Sequence, residues 1–208
     1  MGDGRFITVE GIEGAGKTTA IDIIRDGVKG QGGEGRRTRE PGGTDLGEEL
    51  REVLLRHRDG GMSAEAEVLL MFAARAEHLE RVIRPALAAG QWVICDRFTD
   101  ASVAYQGMGR GLGIDRVRSL GEWTHADLAP DLTLWLDLPV ALGLERAAGR
   151  SLPDRFESER AGFFKAVRRG YAAIAADEPD RVRRVDSSGP PAEVRDGIIA
   201  ALEARFGG

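Results

Sequence analysis

The stretch Gly11-Ile12-Glu13-Gly14-Ala15-Gly16-Lys17-Thr18 places glycines, a lysine and a hydroxyl at the spacing G-x-x-x-x-G-K-[ST]. That arrangement suits a polyphosphate. Glycines let backbone N–H groups wrap the anion, the lysine reaches the β- and γ-phosphates, and the threonine hydroxyl can sit on Mg²⁺. The flanks agree: residues 5–10 are apolar and β-branched, as in a buried strand, and residues 19–25 carry apolar side chains at helical spacing. A helix starting there, with Thr19 in its first turn, adds a positive partial charge facing the phosphates. A glycine-rich turn with a surface lysine would not need these flanks. Residues 11–19 therefore imply a nucleoside triphosphate site.

A second group with chemical potential is Asp96-Arg97, at the carboxyl end of an apolar run over 91–96. A carboxylate beside an arginine suits a site that handles Mg²⁺ and a second phosphate-bearing molecule, with Asp96 and Thr18 as the metal pair. Three functions compete. A GTP-driven switch needs Asn-Lys-x-Asp to read guanine, and the chain has no such tetrapeptide. An ATP-driven motor usually follows this aspartate with glutamate, where the chain has Arg97. A regulator without turnover would not need both Lys17 and Thr18. A small-molecule kinase fits all of these residues.

Strand-like runs alternate with helical ones along the chain. After the first helix a glycine-rich turn leads to Arg36-Arg37-Thr38-Arg39, a poor strand by propensity that a βαβ unit nevertheless requires. A Pro/Gly loop over 39–44 precedes a helix capped by Asp45 that runs to about His57. Ser63 opens a helix to Gly90 that exceeds the common length, with an apolar stripe long enough to serve a subunit interface as well as the core. Strands follow at 91–96, 132–137 and 182–185, with helices at 114–125, 140–148, 160–176 and 191–206. Residues 98–113 read as a polar connecting segment, and 149–158 break the periodicity. The pattern predicts an α/β domain over 1–208: a five-stranded parallel sheet with helices on both faces. Right-handed crossovers then gather 11–18, Asp96, Arg97, Asp137 and Asp186 at the carboxyl edge of the sheet.

Composition narrows the setting. At 208 residues and 42% hydrophobic the chain can bury one good core. The net charge of −5 gives no general attraction for nucleic acid or an anionic membrane. No apolar run approaches the ~18 residues of a membrane span. A core strand within a few residues of the N-terminus leaves no room for a signal peptide, and the one cysteine, Cys95, reads as a small buried hydrophobe. A cytoplasmic protein is expected.

Several segments are similar, in order, to bacterial thymidylate kinases: residues 6–14; Arg39-Glu40-Pro41-Gly42-Gly43-Thr44; Phe72-Ala73-Ala74-Arg75-Ala76-Glu77-His78; Asp96-Arg97-Phe98 with Ser102-Val103-Ala104-Tyr105-Gln106-Gly107; and Asp154-Arg155-Phe156-Glu157. The resemblance runs from Phe6 to Asp186. It implies a P-loop NTPase fold with a short lid at about 146–158, transfer of the ATP γ-phosphoryl to dTMP giving dTDP for dTTP synthesis, Mg²⁺, and a homodimer. Another nucleoside monophosphate remains the alternative acceptor. By resemblance Phe72 stacks on thymine, Arg75 contacts the base or phosphate, and Ser102 reads the base edge. Tyr105 crowds the sugar 2′ position beside Gln106, Arg97 and then Arg39 hold the acceptor phosphate, and Glu13 faces the acceptor sugar and the metal. Some relatives carry an arginine within the phosphate loop where this chain has Gly14, so the catalytic charge is expected from the lid, from Arg150 or Arg155. Gly149 is the candidate hinge there, and Leu152 and Pro153 depart from the usual basic pattern.

Overall fold

The computed structural model describes residues 4–30, 35–148, 154–157 and 159–207. Five parallel strands form one sheet in the order β2-β3-β1-β4-β5: β1 (Phe6–Glu10), β2 (Gly35–Arg39), β3 (Trp92–Asp96), β4 (Leu132–Asp137) and β5 (Val182–Asp186). The central β1 and β4 are buried at every position, as strands covered on both faces must be. Alternation along β3 divides the core. Ile94 joins Ile7 and Val9 on one face, while Val93 and Cys95 join Phe6 and Phe98 on the other. Cys95 is thus a buried free thiol within that second cluster. The arginine-rich β2 exists despite its propensity because it is an edge strand, with outward side chains exposed and Gly35 to Arg39 paired along β3.

Helix α1 (Lys17–Gly30) begins at Lys17, directly after the glycine loop that leaves β1. Helix α2 (Asp45–Leu55) is capped by the Thr44 hydroxyl, which accepts from Gly47 N, and not by Asp45, which is its first helical residue. The long helix expected from Ser63 to Gly90 is divided. α3 (Ala64–His78), with Ser63 as its cap, widens into a π turn over Leu79–Ile83 before α4 (Arg84–Ala88). Pro85 stands in the first turn of α4 and has no N–H to donate to the preceding turn, which accounts for the break there.

Residues 98–113 are more regular than expected. Helix α5 (Thr99–Ser102) leads into a π-helical segment over Val103–Gly109. Its polar side chains Asp100, Ser102 and Gln106 are buried, so the apolar-face signal that reveals an ordinary helix is lost. The remaining helices are α6 (Ile114–His125), α7 (Val140–Ala147), α8 (Ala161–Asp177), which packs along the π segment at 103–109, and α9 (Pro191–Phe206). Among the described residues no helix is long and apolar enough to cross a membrane. The chain leaves β1 toward β2 on one side and later crosses from β3 to β4 on the other. The crevice at the carboxyl end of β1 is therefore the place where open α/β sheets bind ligands.

Candidate active site

A cleft of about 250 Å³ opens at that edge, lined by residues of the phosphate loop, the β2–α2 connection, α3, the turn after β3, and Asp154, Phe156 and Glu157. The loop wall comes first. Gly14 has a φ of +74°, and a side chain there would run into the backbone carbonyl of Gly143. An arginine at this position cannot be accommodated without moving the backbone. Lys17 folds back over the loop, its Nζ at 3.5 Å from the Gly11 carbonyl and 3.4 Å from that of Ile12. Burial and then the neighbouring Arg97 pull its pKa down, while Asp96, Glu13 and Glu10 oppose them. An ammonium under that pressure gains from a polyanion. Thr18 and Thr19 stand exposed in the first turn of α1, and Thr19 also borders a separate groove between α1 and α9. Ile12 and Ala15 are buried beneath the loop.

Asp96 ends β3 and lines the cleft. Its Oδ1 is buried without a hydrogen-bond partner among the described residues, an expensive state for a carboxylate that lacks a cation. With Thr18 in the first turn of the neighbouring α1, this hard oxygen donor fits Mg²⁺. Asp137 is differently placed. Arg168 donates to both its oxygens, at 2.7 and 3.0 Å, and Arg184 adds a third bond at 2.8 Å. Asp186 caps the Ser188 amide and hydroxyl. Neither aspartate lines the cleft. Another close set of possible ligands, Glu40, His78 and Cys95, lies buried, but both Glu40 oxygens are already taken by Arg75 and His78.

The wall opposite the loop is a web of charged hydrogen bonds. Arg97 donates from Nη2 to Glu13 Oε1 at 2.8 Å and lies over the Tyr105 ring at 4.7 Å. The Tyr105 hydroxyl donates to the same Glu13 carboxylate at 2.9–3.0 Å. Burial works against the Arg97 charge, but Tyr105, Glu13, Tyr171 and Asp96 outweigh it and hold its pKa above the usual arginine value. Arg75 is buried on α3. Its Nε meets Glu40 at 2.7 Å, and its Nη2 donates to Ser102 Oγ at 3.0 Å and the Phe98 carbonyl at 3.1 Å. His78 braces Glu40 from behind and meets Thr38 through its other ring nitrogen. Burial alone would raise the pKa of Glu40; Arg75 and His78 overcome it and hold the group ionised. Two buried polar atoms in this wall have no partner among the described residues, Arg75 Nη1 and Gln106 Oε1. A donor and an acceptor unsatisfied in one cleft suit the edge of a nucleobase.

Of the expected residues, Glu13, Gly14, Lys17, Arg39, Arg75, Asp96, Arg97, Ser102, Tyr105 and Gln106 come together on the cleft. Two do not. Phe72 is buried in the main core with the Arg75 guanidinium 4.4 Å over its ring, and the side chains that α3 turns to the cleft are Met71 and Arg75. One residue rotates a helix face by ~100°, so a single step in register separates the wall from the core. Arg155 donates to Glu67 at 2.6 Å and to the Leu54 carbonyl at 2.9 Å, which ties its guanidinium away from the cleft. Arg150, Gly149, Leu152 and Pro153 lie outside the described residues.

Sequence reasoning missed Arg51, which lines the cleft and bonds the Pro41 carbonyl at 2.9 Å. Burial and Arg39 alongside pull its pKa down, so it too would gain from an anion. Its signal was available: an arginine on the first helix after a Pro/Gly loop that already carried Arg39. Glu40, Asp154 and Phe156 also line the cleft and lie within segments already singled out, while Met71 lies one residue before such a segment.

A family model described as thymidylate kinase matches residues 9–198. The chain is 58% identical over 204 residues to the thymidylate kinase of Alkalilimnicola ehrlichii, covering 98% of this chain and 92% of that one. It is 52% identical over 201 residues to that of Teredinibacter turnerae, covering 97% and 98%. The crystal structure of thymidylate kinase from Ehrlichia chaffeensis superposes with a TM-score of 0.78 at 31% identity, covering 97% of this chain and 99% of that one. A glycine loop, a cleft of arginines at the same sheet edge and likeness along nearly the whole chain agree: this protein belongs to the thymidylate kinase family.

Proposed function

We propose that this protein phosphorylates dTMP to dTDP with ATP as donor and Mg²⁺ as the accompanying ion, through the residues gathered on the cleft. Family membership supports the reaction. The observation that carries the residue roles is the juxtaposition of Lys17 with Arg97, Arg75, Ser102 and Gln106 in one crevice. Phosphoryl transfer needs positioning and positive charge more than covalent chemistry. The backbone N–H groups of 11–18 hold the donor phosphates, and Lys17 neutralises their β- and γ-oxygens. Thr18 and Asp96 are the residues that would hold Mg²⁺, which when bound offsets charge on the donor phosphates. Arg97, with Arg39 and Arg51, binds the acceptor phosphate. Arg75 Nη1 and Gln106 Oε1 face the base edge beside Ser102, and Met71 takes the place assigned to Phe72 against the base. Tyr105 and Glu13 lie along the sugar. Arg150 becomes the candidate lid arginine, since Arg155 is already paired with Glu67. Turnover with Mg·ATP and a panel of monophosphates tests the reading: dTMP is expected to be strongly preferred, and equal turnover of dTMP, dCMP and dGMP would reject the acceptor assignment.

A homodimer belongs to the same proposal. Leu69 on α3 is 55% exposed with Ala66, Ala73 and Ala76 along the same face, and Trp123 on the adjoining α6 is 82% exposed. Apolar surface of this kind on two touching helices suits a second copy of the chain. Light scattering on Leu69→Glu should then report a monomer where the wild type is a dimer.

A further inference from the structure

Glu10 closes β1 and carries a fully buried carboxyl group in the middle of the sheet. Such a group is costly unless its oxygens are satisfied. Each has a partner: the Phe98 amide donates to Oε1 at 2.7 Å, and the Tyr171 hydroxyl donates to Oε2 at 2.8 Å. Both partners bear on Arg97. Phe98 is the next residue along the chain, so its tethered amide fixes the backbone directly after Arg97. That backbone needs fixing, because Arg97 is the one non-glycine among the described residues with a positive φ, at 69°. A side-chain-bearing residue persists in that region only when its surroundings over-determine it.

The Tyr171 hydroxyl also takes a hydrogen bond from Arg97 Nη1 at 3.4 Å. Its ring cannot drift. It stacks on Trp135 and stands edge-on to Tyr105, the ring whose face carries the Arg97 guanidinium. One buried carboxyl group therefore holds the arginine at two points, through the amide behind it and through the phenol beside its tip.

We propose that Glu10 and Tyr171 form a positioning pair for Arg97, fixing its strained backbone and the direction of its guanidinium so that its remaining N–H groups meet the acceptor phosphate. Tyr171 lies on α8, the helix that follows Asp154, Phe156 and Glu157 of the cleft wall, so the position of that helix is transmitted to the phosphate contact. The inference rests on the reading above that Arg97 binds the phosphate of dTMP.

The measurement is the affinity advantage of dTMP over thymidine, which lacks the phosphate, by calorimetry on the full-length protein. Arg97→Lys tests the underlying reading: it should shrink the advantage tenfold or more, as expected for ~1.5–3 kcal/mol of charged hydrogen bonding. An unchanged advantage there would remove Arg97 from the phosphate and the pair with it. Given that loss, Tyr171→Phe should shrink the advantage ~3–10-fold, in line with one hydrogen bond of ~0.5–1.5 kcal/mol, while thymidine affinity stays as in the wild type. It should add nothing in the Arg97→Lys background, because its effect passes through the arginine. Glu10→Gln, which exchanges an acceptor oxygen for an NH₂ donor, should reproduce the Tyr171→Phe effect; where that variant fails to fold, Tyr171→Phe decides alone. An unchanged advantage in Tyr171→Phe with Arg97→Lys affected, or an equal loss of thymidine and dTMP affinity, would overturn the positioning role.

Discussion

The two ends of the cleft are built in opposite ways. At the proposed donor end the groups lie next to one another in sequence: a loop between β1 and α1, with Lys17 turned back onto the carbonyls of Gly11 and Ile12. At the proposed acceptor end almost every contact joins distant parts of the chain. Arg75 meets Glu40 across 35 residues, Arg97 meets Glu13 across 84, and Tyr171 meets Glu10 across 161. The first kind of site is specified by a short word and can be held by any strand–helix junction. The second exists only when the sheet order and the helix packing are both right, and its precision is borrowed from the whole fold.

The strongest way to break this comparison is at the local end. Lys17→Ala should leave the fold intact, since among the described residues the side chain bonds two loop carbonyls, yet lower kcat by ~10³-fold or more if, as proposed, it neutralises charge on the migrating phosphoryl group. Steady-state kinetics beside a thermal melt checks both halves. Near wild-type turnover would mean that residues 11–18 are not the phosphate cradle.

The distant end should show itself in stability. Burial, and then Asp100, push the pKa of Glu10 up to about 8, against the pull of Arg97, Tyr171 and the Phe98 amide. A carboxyl group raised in the folded state above its ordinary value near 4.5 keeps its proton on folding. Its contribution is fully present below that ordinary value and is lost as pH rises through about 8. One such proton is worth ~1.4 kcal/mol per pH unit, or about tenfold in the folding constant per unit between those limits. His125 works the other way: burial and then Arg75 lower its pKa, so its contribution is lost as pH falls below its ordinary value of 6.5. The comparison is therefore between Glu10→Gln and the wild type in denaturant melts at several pH values. The variant should lose the decline toward pH 8, and identical slopes would remove Glu10 as its source.

Much of the local end was legible in the sequence. Residues 11–18, the capping serine at 63, the buried runs of β1, β3 and β4, and the pairing of Asp96 with Arg97 each follow from neighbours within one element. Even the unpromising β2 could be inferred, because a parallel sheet needs a second strand after α1. What could not be read was whatever depends on which face a residue presents once packed. The π segment over 103–109 buries Gln106 and so hides its own helical period. Glu10 ends a strand and Tyr171 sits on a helix 161 residues away, and nothing in either neighbourhood names the other.

The expected lid arginines carry the same divide. Arg155 stands in a segment that resembles thymidylate kinases, yet its charge is spent on Glu67, which also receives Arg110 and Gln106. Arg155→Ala should loosen that buried cluster and lower the melting temperature while changing kcat less than ~10-fold. Arg150→Ala should lower kcat ~100-fold with little change in dTMP affinity, as for a group that meets the phosphoryl only after closure. Kinetics and dTMP titration on both variants separate them. The reverse order, with Arg155 dominating kcat, would mean that its bond to Glu67 is released during turnover.

The smallest effect tests the finest distinction, a single step along α3. Met71 lines the cleft and Phe72 packs in the core under Arg75, so the base should rest on a thioether and not on a phenyl ring. A sulfur–aromatic contact is worth ~0.3–1.5 kcal/mol, which is about 2–12-fold in affinity. The contact is the same before and during phosphoryl transfer, so Met71→Ala should raise KM for dTMP within that range and leave kcat unchanged. Phe72→Leu keeps an apolar side chain at the core position but removes the ring beneath the guanidinium of Arg75. It should cost stability, with any loss of dTMP affinity passing through Arg75 and therefore absent from an analogue that offers that arginine no base carbonyl. Should Phe72→Leu instead cost more dTMP affinity than Met71→Ala while the melting temperature holds, the aromatic residue would be the platform and α3 would have to turn by one residue when the nucleotide binds.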